Sequence, residues 1–226
     1  MTVIFSDGFE SGNTGSWTAT TVYAGCTLAT ETTLVHHGGY AAEATTNGAA
    51  AVQVARLEMA ISPTVTVLYV RFYAQVKSHD ISVTNDRFYF IRFGSVTVSQ
   101  HVAWVGWRHD GTAVKWELLT RNGTAYASTY SSTPSLNLNQ WYCIELYWLE
   151  AAVNGGAQVY IDGVLTLEDM NNDTNDYGDC NRVFMGIAET ANTVTADVVV
   201  DCCVISDSYI GPEVSVKRRL LMGVGL

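Results

Sequence analysis

Five residues in the middle of the chain carry side chains that could act on an acidic sugar. They are Tyr89 and Arg92 in the stretch RFYFIRF, and His101, Arg108 and His109 in HVAWVGWRH. Elimination from a uronate needs a Tyr or His base and a cation that neutralises the sugar carboxylate. These residue types converge if the two stretches pair as strands. The alternative is that they are ordinary polar and aromatic positions on the exposed face of a sheet.

Tryptophans in the same region indicate a second kind of chemistry. An exposed aromatic ring gives the apolar face of a sugar a rigid platform. The predicted ligand-binding residues are therefore Trp104, Trp107, Tyr89, Arg108 and His109. Because side chains alternate along a strand, Trp104 and Trp107 must face opposite ways, and only one of them can share a face with a given neighbour.

Paired carboxylates, which glycoside hydrolysis requires, are not found at strand spacing. A retaining hydrolase holds two carboxylates about 5 to 5.5 Å apart, which on one strand face means residues two or four apart. Glu117 in KWELL and Glu145 in CIELYW have no such partner. We therefore expect no catalytic residues and a protein that is not an enzyme.

Strands are the elements that must position these side chains, because apolar and polar residues alternate with period two. In DRFYFIRFGSV the alternation predicts Phe88 and Phe90 on one face and Tyr89, Ile91 and Phe93 on the other. The turn signals Asn122-Gly123 and Asn154-Gly155-Gly156 predict two hairpins. TADVVVDCCVISDSYIGP is apolar on both faces, which favours a central strand.

The amino-acid composition limits the classes of partner that we expect for this protein. The 226 residues carry a net charge of -10, which argues against nucleic acid as a partner, because phosphate binding rests on clustered Lys and Arg. No segment predicts membrane insertion, and no signal peptide is visible. The five cysteines lack C-x-x-C spacing, and we interpret them as reduced and structural, with their pairing left open.

Four motifs in order resemble a known family. DGFESGNTGSW, LVHHGGYAAEA, QWYCIELYW…AQVYIDG and VVVDCCVISDSYIGP together resemble the concanavalin A-like domains, which include laminin-G-like domains and carbohydrate-binding modules. The resemblance implies an all-β, two-sheet antiparallel jelly-roll sandwich over residues 1–212. Residues 213–226 form a C-terminal extension.

The resemblance also implies a structural Ca²⁺ ion between the first and last strands. Mapped by motif, its ligands are Glu10, Asp201, the turn at Gly39 and, as an extra ligand, Asp7. Calcium takes six to eight hard oxygen ligands, which suits this set. The alternative is that these are ordinary turn and edge carboxylates. The acidic stretch 168–179 lacks EF-hand spacing, and we interpret it as a solvated loop.

The C-terminal tail predicts an assembly role. KRRLLMGVGL resembles the ends of some bacteriophage structural proteins of this fold, and its Arg218, Arg219, Leu220 and Leu221 are the predicted assembly segment. An apolar segment can add to the sheet edge of a neighbouring subunit. The tail favours a non-catalytic structural or surface protein of a virion or extracellular filament, homo-oligomeric or bound to other subunits, with glycan adhesion as a further property.

Two other functions stay open. One is a stand-alone lectin-like module that binds carbohydrate, and the other is a polysaccharide lyase or glycoside hydrolase of the same fold. A jelly roll by itself does not decide among them, because the fold carries many functions.

Overall fold

A computed structural model describes residues 1–50, 52–95, 100–122, 125–175 and 180–213. Within these ranges it contains no α-helix, and no helix there is long and apolar enough to cross a membrane. The strands, in chain order, are β1 Val3–Asp7, β2 Ala19–Val22, β3 Thr27–Glu31, β4 Ala41–Asn47, β5 Ala55–Val65, β6 Val67–His79, β7 Arg87–Ser95, β8 Gln100–His109, β9 Val114–Asn122, β10 Ala125–Ser131, β11 Trp141–Leu149, β12 Gly155–Ile161, β13 Val164–Asn172, β14 Cys180–Ala191 and β15 Thr195–Ser206.

The strands form two antiparallel sheets. Sheet A has eight strands, in the order β13-β12-β11-β6-β15-β4-β3, with β1 also paired to β15. Sheet B has seven, in the order β10-β9-β8-β7-β14-β5-β2. The inner faces enclose one core whose largest side chains include Trp107, Trp116 and Trp148. The predicted two-sheet antiparallel sandwich is confirmed.

The strand pairing of the two predicted hairpins and the central position of the last strand are also confirmed. β11 pairs with β12 across the turn at Asn154, whose φ of 67° is the left-handed value that Asn tolerates. The strands on either side of the Asn122-Gly123 signal, β9 and β10, are paired. β15 lies between β6 and β4, as its apolar residues on both faces predicted. None of the five cysteines forms a disulfide.

A β-bulge in β7 changes which residues face outward. The register of β7 against β8 shifts between Tyr89 and Ile91. A bulge inserts one extra residue and so reverses the alternation beyond it. Ile91 and Phe93 therefore join Phe88 and Phe90 in the core, and the prediction that Ile91 and Phe93 share the face of Tyr89 is wrong.

A break in the pairing of β15 lies close to both ends of the chain. Up to Val200, β15 pairs with β4, and from Cys203 onward it pairs with β1. Asp201 and Cys202 lie between these two partners, in a stretch where the register against β6 also shifts. The side chains of Asp201 and Cys202 can therefore reach the loops that follow β1 and β3.

The C-terminal predictions fall mostly outside the described residues. The assembly segment Arg218, Arg219, Leu220 and Leu221 belongs to the stretch beyond 213, which the structure does not describe. Its assembly role stays a prediction. The described chain ends at Glu213, whose backbone N–H donates to the Tyr73 hydroxyl at 2.7 Å.

Candidate functional site

The outer face of sheet B carries a row of side chains from five adjacent strands. Cross-strand pairing aligns Phe184 of β14 with Arg92 of β7, Arg92 with Trp104 of β8, Trp104 with Leu119 of β9, and Leu119 with Ser128 of β10. Directly paired residues of an antiparallel sheet project on the same side. The bulge in β7 is what puts Arg92 on the same face as Tyr89.

A cavity of about 460 Å³ opens on this face. Its lining comes from β7, β8, β9, β10 and β14 and consists of Arg87, His101, Trp104, Arg108, Leu119, Tyr126, Ser128 and Glu189. Trp104 is 5% exposed, whereas Tyr126 is 54% exposed, and their rings meet edge to face at 5.5 Å. The cavity therefore has an aromatic floor and an aromatic wall.

Arginines are concentrated on this face. Of the seven arginines in the described ranges, all but Arg71 lie here: Arg56, Arg87, Arg92, Arg108, Arg121 and Arg182. Arg56 and Arg92 both contact the ring of Phe184, with their guanidinium carbons 4.2 and 4.8 Å from its centre. This face is cationic in a protein whose net charge is -10.

The carboxylates near this face are already engaged by arginines. Glu117 pairs with Arg108 and Glu189 with Arg92, both with N–O distances of 2.5 Å. Glu58 pairs with Arg182 at 2.7 Å. A carboxylate held in this way is a poor general acid, because the adjacent cation favours its ionised form.

Tyr89 belongs to a buried network beneath the cavity. Its hydroxyl donates to Glu117 Oε2 at 2.8 Å, while Arg108 holds Glu117 Oε1 and also donates to Asn85 Oδ1 at 2.5 Å. Tyr89 is 1% exposed. Burial, followed by the negative charge of Glu117, raises the pKa of Tyr89 well above its usual value. Tyr89 thus supports the cavity and is not available as a base.

His101 is the titratable base that lines the cavity. Burial, followed by the positive charges of Arg92, Arg56 and Arg121, lowers the pKa of His101 to about 3. Its Nδ1 is buried and has no hydrogen-bond partner within the part of the chain that the structure describes. His101 is therefore a neutral imidazole at physiological pH, able to accept or donate one hydrogen bond.

Two of the predicted ligand-binding residues lie elsewhere. Trp107 is 1% exposed and packs in the core against Trp116 at 5.7 Å. The prediction that it meets a ligand is wrong because its strand position faces inward. His109 lies at the end of β8, where its Nδ1 accepts a hydrogen bond from Gly111 at 3.1 Å, and it does not line the cavity. The structure does bring together Tyr89, Arg92, His101, Trp104 and Arg108.

Sequence reasoning missed five residues that line the cavity, namely Arg87, Leu119, Tyr126, Ser128 and Glu189. Arg87 was detectable, because it stands two residues before Tyr89 and so shares its face. Tyr126 and Glu189 come from β10 and β14. No local signal in the sequence connects those strands to β8, since their proximity depends on the order of strands in sheet B.

The predicted metal ligands do lie around the break in β15. Asp201 is fully buried, and its Oδ2 accepts the N–H groups of His36 and His37 at 3.0 and 3.1 Å. Glu10 accepts the N–H groups of Gly39 and Tyr40 at 3.0 to 3.2 Å. These carboxylates tie the loop after β3 to both ends of the domain.

Asp7 explains the opening motif of the chain. Its Oδ1 accepts the N–H of Phe9 at 2.8 Å, and its Oδ2 accepts the indole N–H of Trp17 at 2.9 Å. The acidic residue and the tryptophan therefore clamp the glycine-rich loop between them. Calcium at Asp7, Glu10, Gly39 and Asp201 would have to share oxygens with these N–H groups, and it stays a prediction.

We expect Glu10→Ala to lower the free energy of unfolding by about 1–2 kcal/mol, because two peptide N–H groups lose a charged acceptor. Chemical denaturation measures the change. A chelator added to both proteins tests calcium separately: bound calcium predicts a fall in the melting temperature of the wild type that Glu10→Ala lacks. Equal melting curves with and without chelator would exclude calcium and leave the hydrogen-bonding role.

Comparison with protein-family models and with curated protein sequences gives no match. Solved structures are similar in fold. Cellulose induced protein Cip1 matches with a TM-score of 0.69 and 17% identity, over 92% of this chain and 100% of that one. An endo-β-1,4-glucuronan lyase from the fungus Trichoderma reesei matches with a TM-score of 0.69 and 12% identity, over 92% and 96%.

The alginate lyase Aly36B matches with a TM-score of 0.56 and 15% identity, over 94% of this chain and 100% of that one. At these identities the likeness shows the fold alone. The chain has a jelly-roll sandwich fold, consistent with the concanavalin A-like fold that its motifs predicted.

Proposed function

We propose that the protein binds an acidic polysaccharide in the cavity on the outer face of sheet B. The observation that carries this proposal is the position of Arg87. Its guanidinium carbon lies 5.7 Å from the Tyr89 ring centre, and the residue lines the cavity. Among the described residues Arg87 forms no ion pair, and its buried Nε has no hydrogen-bond partner. A guanidinium offers a fork of donors that matches a carboxylate. A uronate carboxylate is its natural partner in a sugar.

The aromatic residues of the cavity support a sugar as the bearer of that carboxylate. Trp104 and Tyr126 meet at nearly a right angle, 74° between ring planes. They offer apolar surface to the C–H faces of a pyranose ring. Arginines beside aromatic rings are thus suited to a ligand that is both cyclic and anionic.

Polysaccharide binding by other proteins of this fold supports the proposal as well. The solved structures with the same fold include an endo-β-1,4-glucuronan lyase and an alginate lyase. Domain 4 of an extracellular arabinanase, solved in complex with arabinotriose, has the same fold with a TM-score of 0.54. These names describe those proteins, and they make carbohydrate the first ligand class to test here.

Isothermal titration with acidic and neutral oligosaccharides tests the proposal. We expect oligoglucuronate or alginate fragments to bind and neutral cello-oligosaccharides to bind much more weakly. Arg87→Ala should weaken binding of the acidic sugar by about 10- to 100-fold, since a charge-assisted hydrogen bond contributes about 1.5–3 kcal/mol. Added salt should weaken it further.

Arg182→Ala is the matched control, because Arg182 lies on the same face but pairs with Glu58 and does not line the cavity. Its affinity should equal that of the wild type. Equal losses in the two variants would mean that only the overall charge of the face matters. Absence of binding to every acidic sugar by the folded protein would contradict the proposal.

Lyase activity is a second candidate, favoured by the neutral His101 beside Arg87 and Arg108. A lyase would abstract the proton next to the uronate carboxylate and break the glycosidic C–O bond, whose oxygen takes up a proton as it leaves. The product is an unsaturated uronate, which absorbs in the ultraviolet. Incubation of the protein with polyuronates and a time course of that absorbance distinguish a lyase from a binding protein. The buried Tyr89 and the engaged carboxylates favour the non-catalytic role.

The virion or filament role rests on the tail beyond 213. Light scattering of the whole chain beside a version that ends at Pro212 tests it. Assemblies that form only when the tail is present would support that role. If the whole chain and the shortened chain are both monomers, the role is contradicted.

A further inference from the structure

A second cluster of side chains surrounds the break in β15. It differs chemically from the arginine-rich cavity. His36 Nδ1, Cys202 Sγ and a carboxylate oxygen of Glu213 all lie within 4.8 Å of one another. The individual separations are 3.9 Å from His36 Nδ1 to Cys202 Sγ and 4.0 Å from His36 Nδ1 to Glu213 Oε2. Imidazole nitrogen, thiolate and carboxylate are the three ligand types that Zn²⁺ takes from proteins.

We propose that His36, Cys202 and Glu213 bind a Zn²⁺ ion, with His37 or water in the fourth position. Tetrahedral zinc, with bonds of about 2.0–2.3 Å, separates its ligand atoms by about 3.3–3.7 Å. The two separations from His36 Nδ1 exceed that by a few tenths of an ångström, and all three lie within 4.8 Å. Rotation of the Cys202 and Glu213 side chains supplies the contraction. His37 Nδ1 is already 3.5 Å from Glu213 Oε2.

The backbone around the cluster holds these ligands in place. Asp201 Oδ2 accepts the N–H groups of His36 and His37, and its Oδ1 accepts that of Cys202 at 2.6 Å. One buried carboxylate thus fixes the backbone of three ligand positions. Cys202 has a φ of 51°, a left-handed conformation that costs energy for a residue with a side chain.

The side chains themselves are also constrained. The His36 ring stacks on Tyr73, with ring centres 3.6 Å apart, and meets Trp141 edge to face at 5.4 Å. Arg71 Nη1 lies 3.2 Å from Glu213 Oε1, which leaves Oε2 for the cluster. Fixed partners of this kind orient metal ligands in proteins.

Solvent can reach the cluster. Cys202, His37 and Glu213 line a cavity of about 440 Å³ that also contains Glu10 and Asp7. Cys202 is partly exposed, whereas Cys26, Cys143, Cys180 and Cys203 are buried. When zinc binds, the thiol of Cys202 releases its proton to solvent and the sulfur becomes a ligand. The thiolate ligand separates this site from a calcium site, which takes oxygen ligands.

Cobalt titration of the reduced protein tests the proposal, because Co²⁺ occupies tetrahedral zinc sites and reports a sulfur ligand. We expect a near-ultraviolet thiolate-to-cobalt band that saturates at one equivalent per chain, is lost on addition of Zn²⁺ and is unaffected by Ca²⁺. Cys202→Ser should abolish the band. His36→Gln should weaken cobalt binding by more than about tenfold, and His109→Gln, an imidazole outside the cluster, should leave it unchanged.

Alkylation of the unmodified protein gives a readout that needs no variant. We expect Zn²⁺ to slow the reaction of Cys202 with iodoacetamide, measured on its peptide by mass spectrometry. Absence of the cobalt band in the folded wild type would overturn the proposal. So would a band that survives in Cys202→Ser, or alkylation of Cys202 at the same rate with and without Zn²⁺.

Discussion

Glu117→Ala should lower the free energy of unfolding by about 3–5 kcal/mol, which makes it one of the two most damaging single changes we expect. The carboxylate is fully buried, and it both pairs with Arg108 and accepts the Tyr89 hydroxyl. Removal of one partner leaves the other charge without compensation in a desolvated position, which is what makes broken buried ion pairs costly. Urea or guanidinium denaturation measures the loss.

Glu117→Gln is the matched variant, since it keeps the volume and an acceptor for Tyr89 but removes the charge. We expect a loss between those of the wild type and Glu117→Ala, together with weaker binding of acidic sugars, because Arg108 loses the partner that positions it. A change below about 1 kcal/mol in Glu117→Ala would contradict the buried network, because exposed ion pairs contribute about that much or less.

Substitution of Trp104 should weaken glycan binding, whereas substitution of Trp107, three residues away, should affect stability alone. Trp107 fills the core between Phe88, Phe90 and Trp116, so Trp107→Ala should cost about 3–5 kcal/mol of stability. Trp104 forms the cavity floor. Trp104→Ala should weaken glycan binding by at least about fivefold, since contact with an aromatic ring is worth about 1 kcal/mol or more.

Phenylalanine variants separate stability from binding in this comparison. Trp107→Phe retains most of the core volume and should bind the acidic sugar as the wild type does. Trp104→Phe retains a smaller platform and should restore part of the affinity that Trp104→Ala loses. Normal affinity in Trp104→Ala, or loss of affinity in a folded Trp107→Phe, would show that the cavity is not the binding site.

Much of the fold follows from the sequence, because it depends on local rules. Period-two alternation and the Asn154-Gly155-Gly156 turn predict strands and a hairpin, and the apolar residues of VVVDCCVI predict a central strand. The bulge at Tyr89 does not follow from them. The extra residue there has no compositional signal, yet it decides that Arg92 faces outward and Ile91 inward.

The candidate site was predicted only in part, for a related reason. Tyr89, His101, Trp104 and Arg108 lie on neighbouring strands, so pairing of two adjacent stretches brings them together. Tyr126 comes from β10 and Glu189 from β14. Their place in the cavity depends on the strand order of sheet B, which no short stretch of sequence encodes.

The cluster around Cys202 was not predicted from the sequence either, because it too depends on the order in which strands pair. His36, Cys202 and Glu213 are far apart in the chain, and they meet because β15 changes partner from β4 to β1 at Asp201–Cys202. The motif resemblance led to the hard oxygen ligands of Glu10 and Asp201. It gave no reason to consider the thiol beside them.

The most direct test of the central claim is a crystal structure of the protein with an acidic oligosaccharide bound. We expect the sugar in the cavity on the outer face of sheet B, with its carboxylate within hydrogen-bond distance of Arg87 and its ring against Trp104 or Tyr126. A sugar bound instead on the outer face of sheet A, where Tyr69 and Tyr147 stack at 4.6 Å, would contradict the claim.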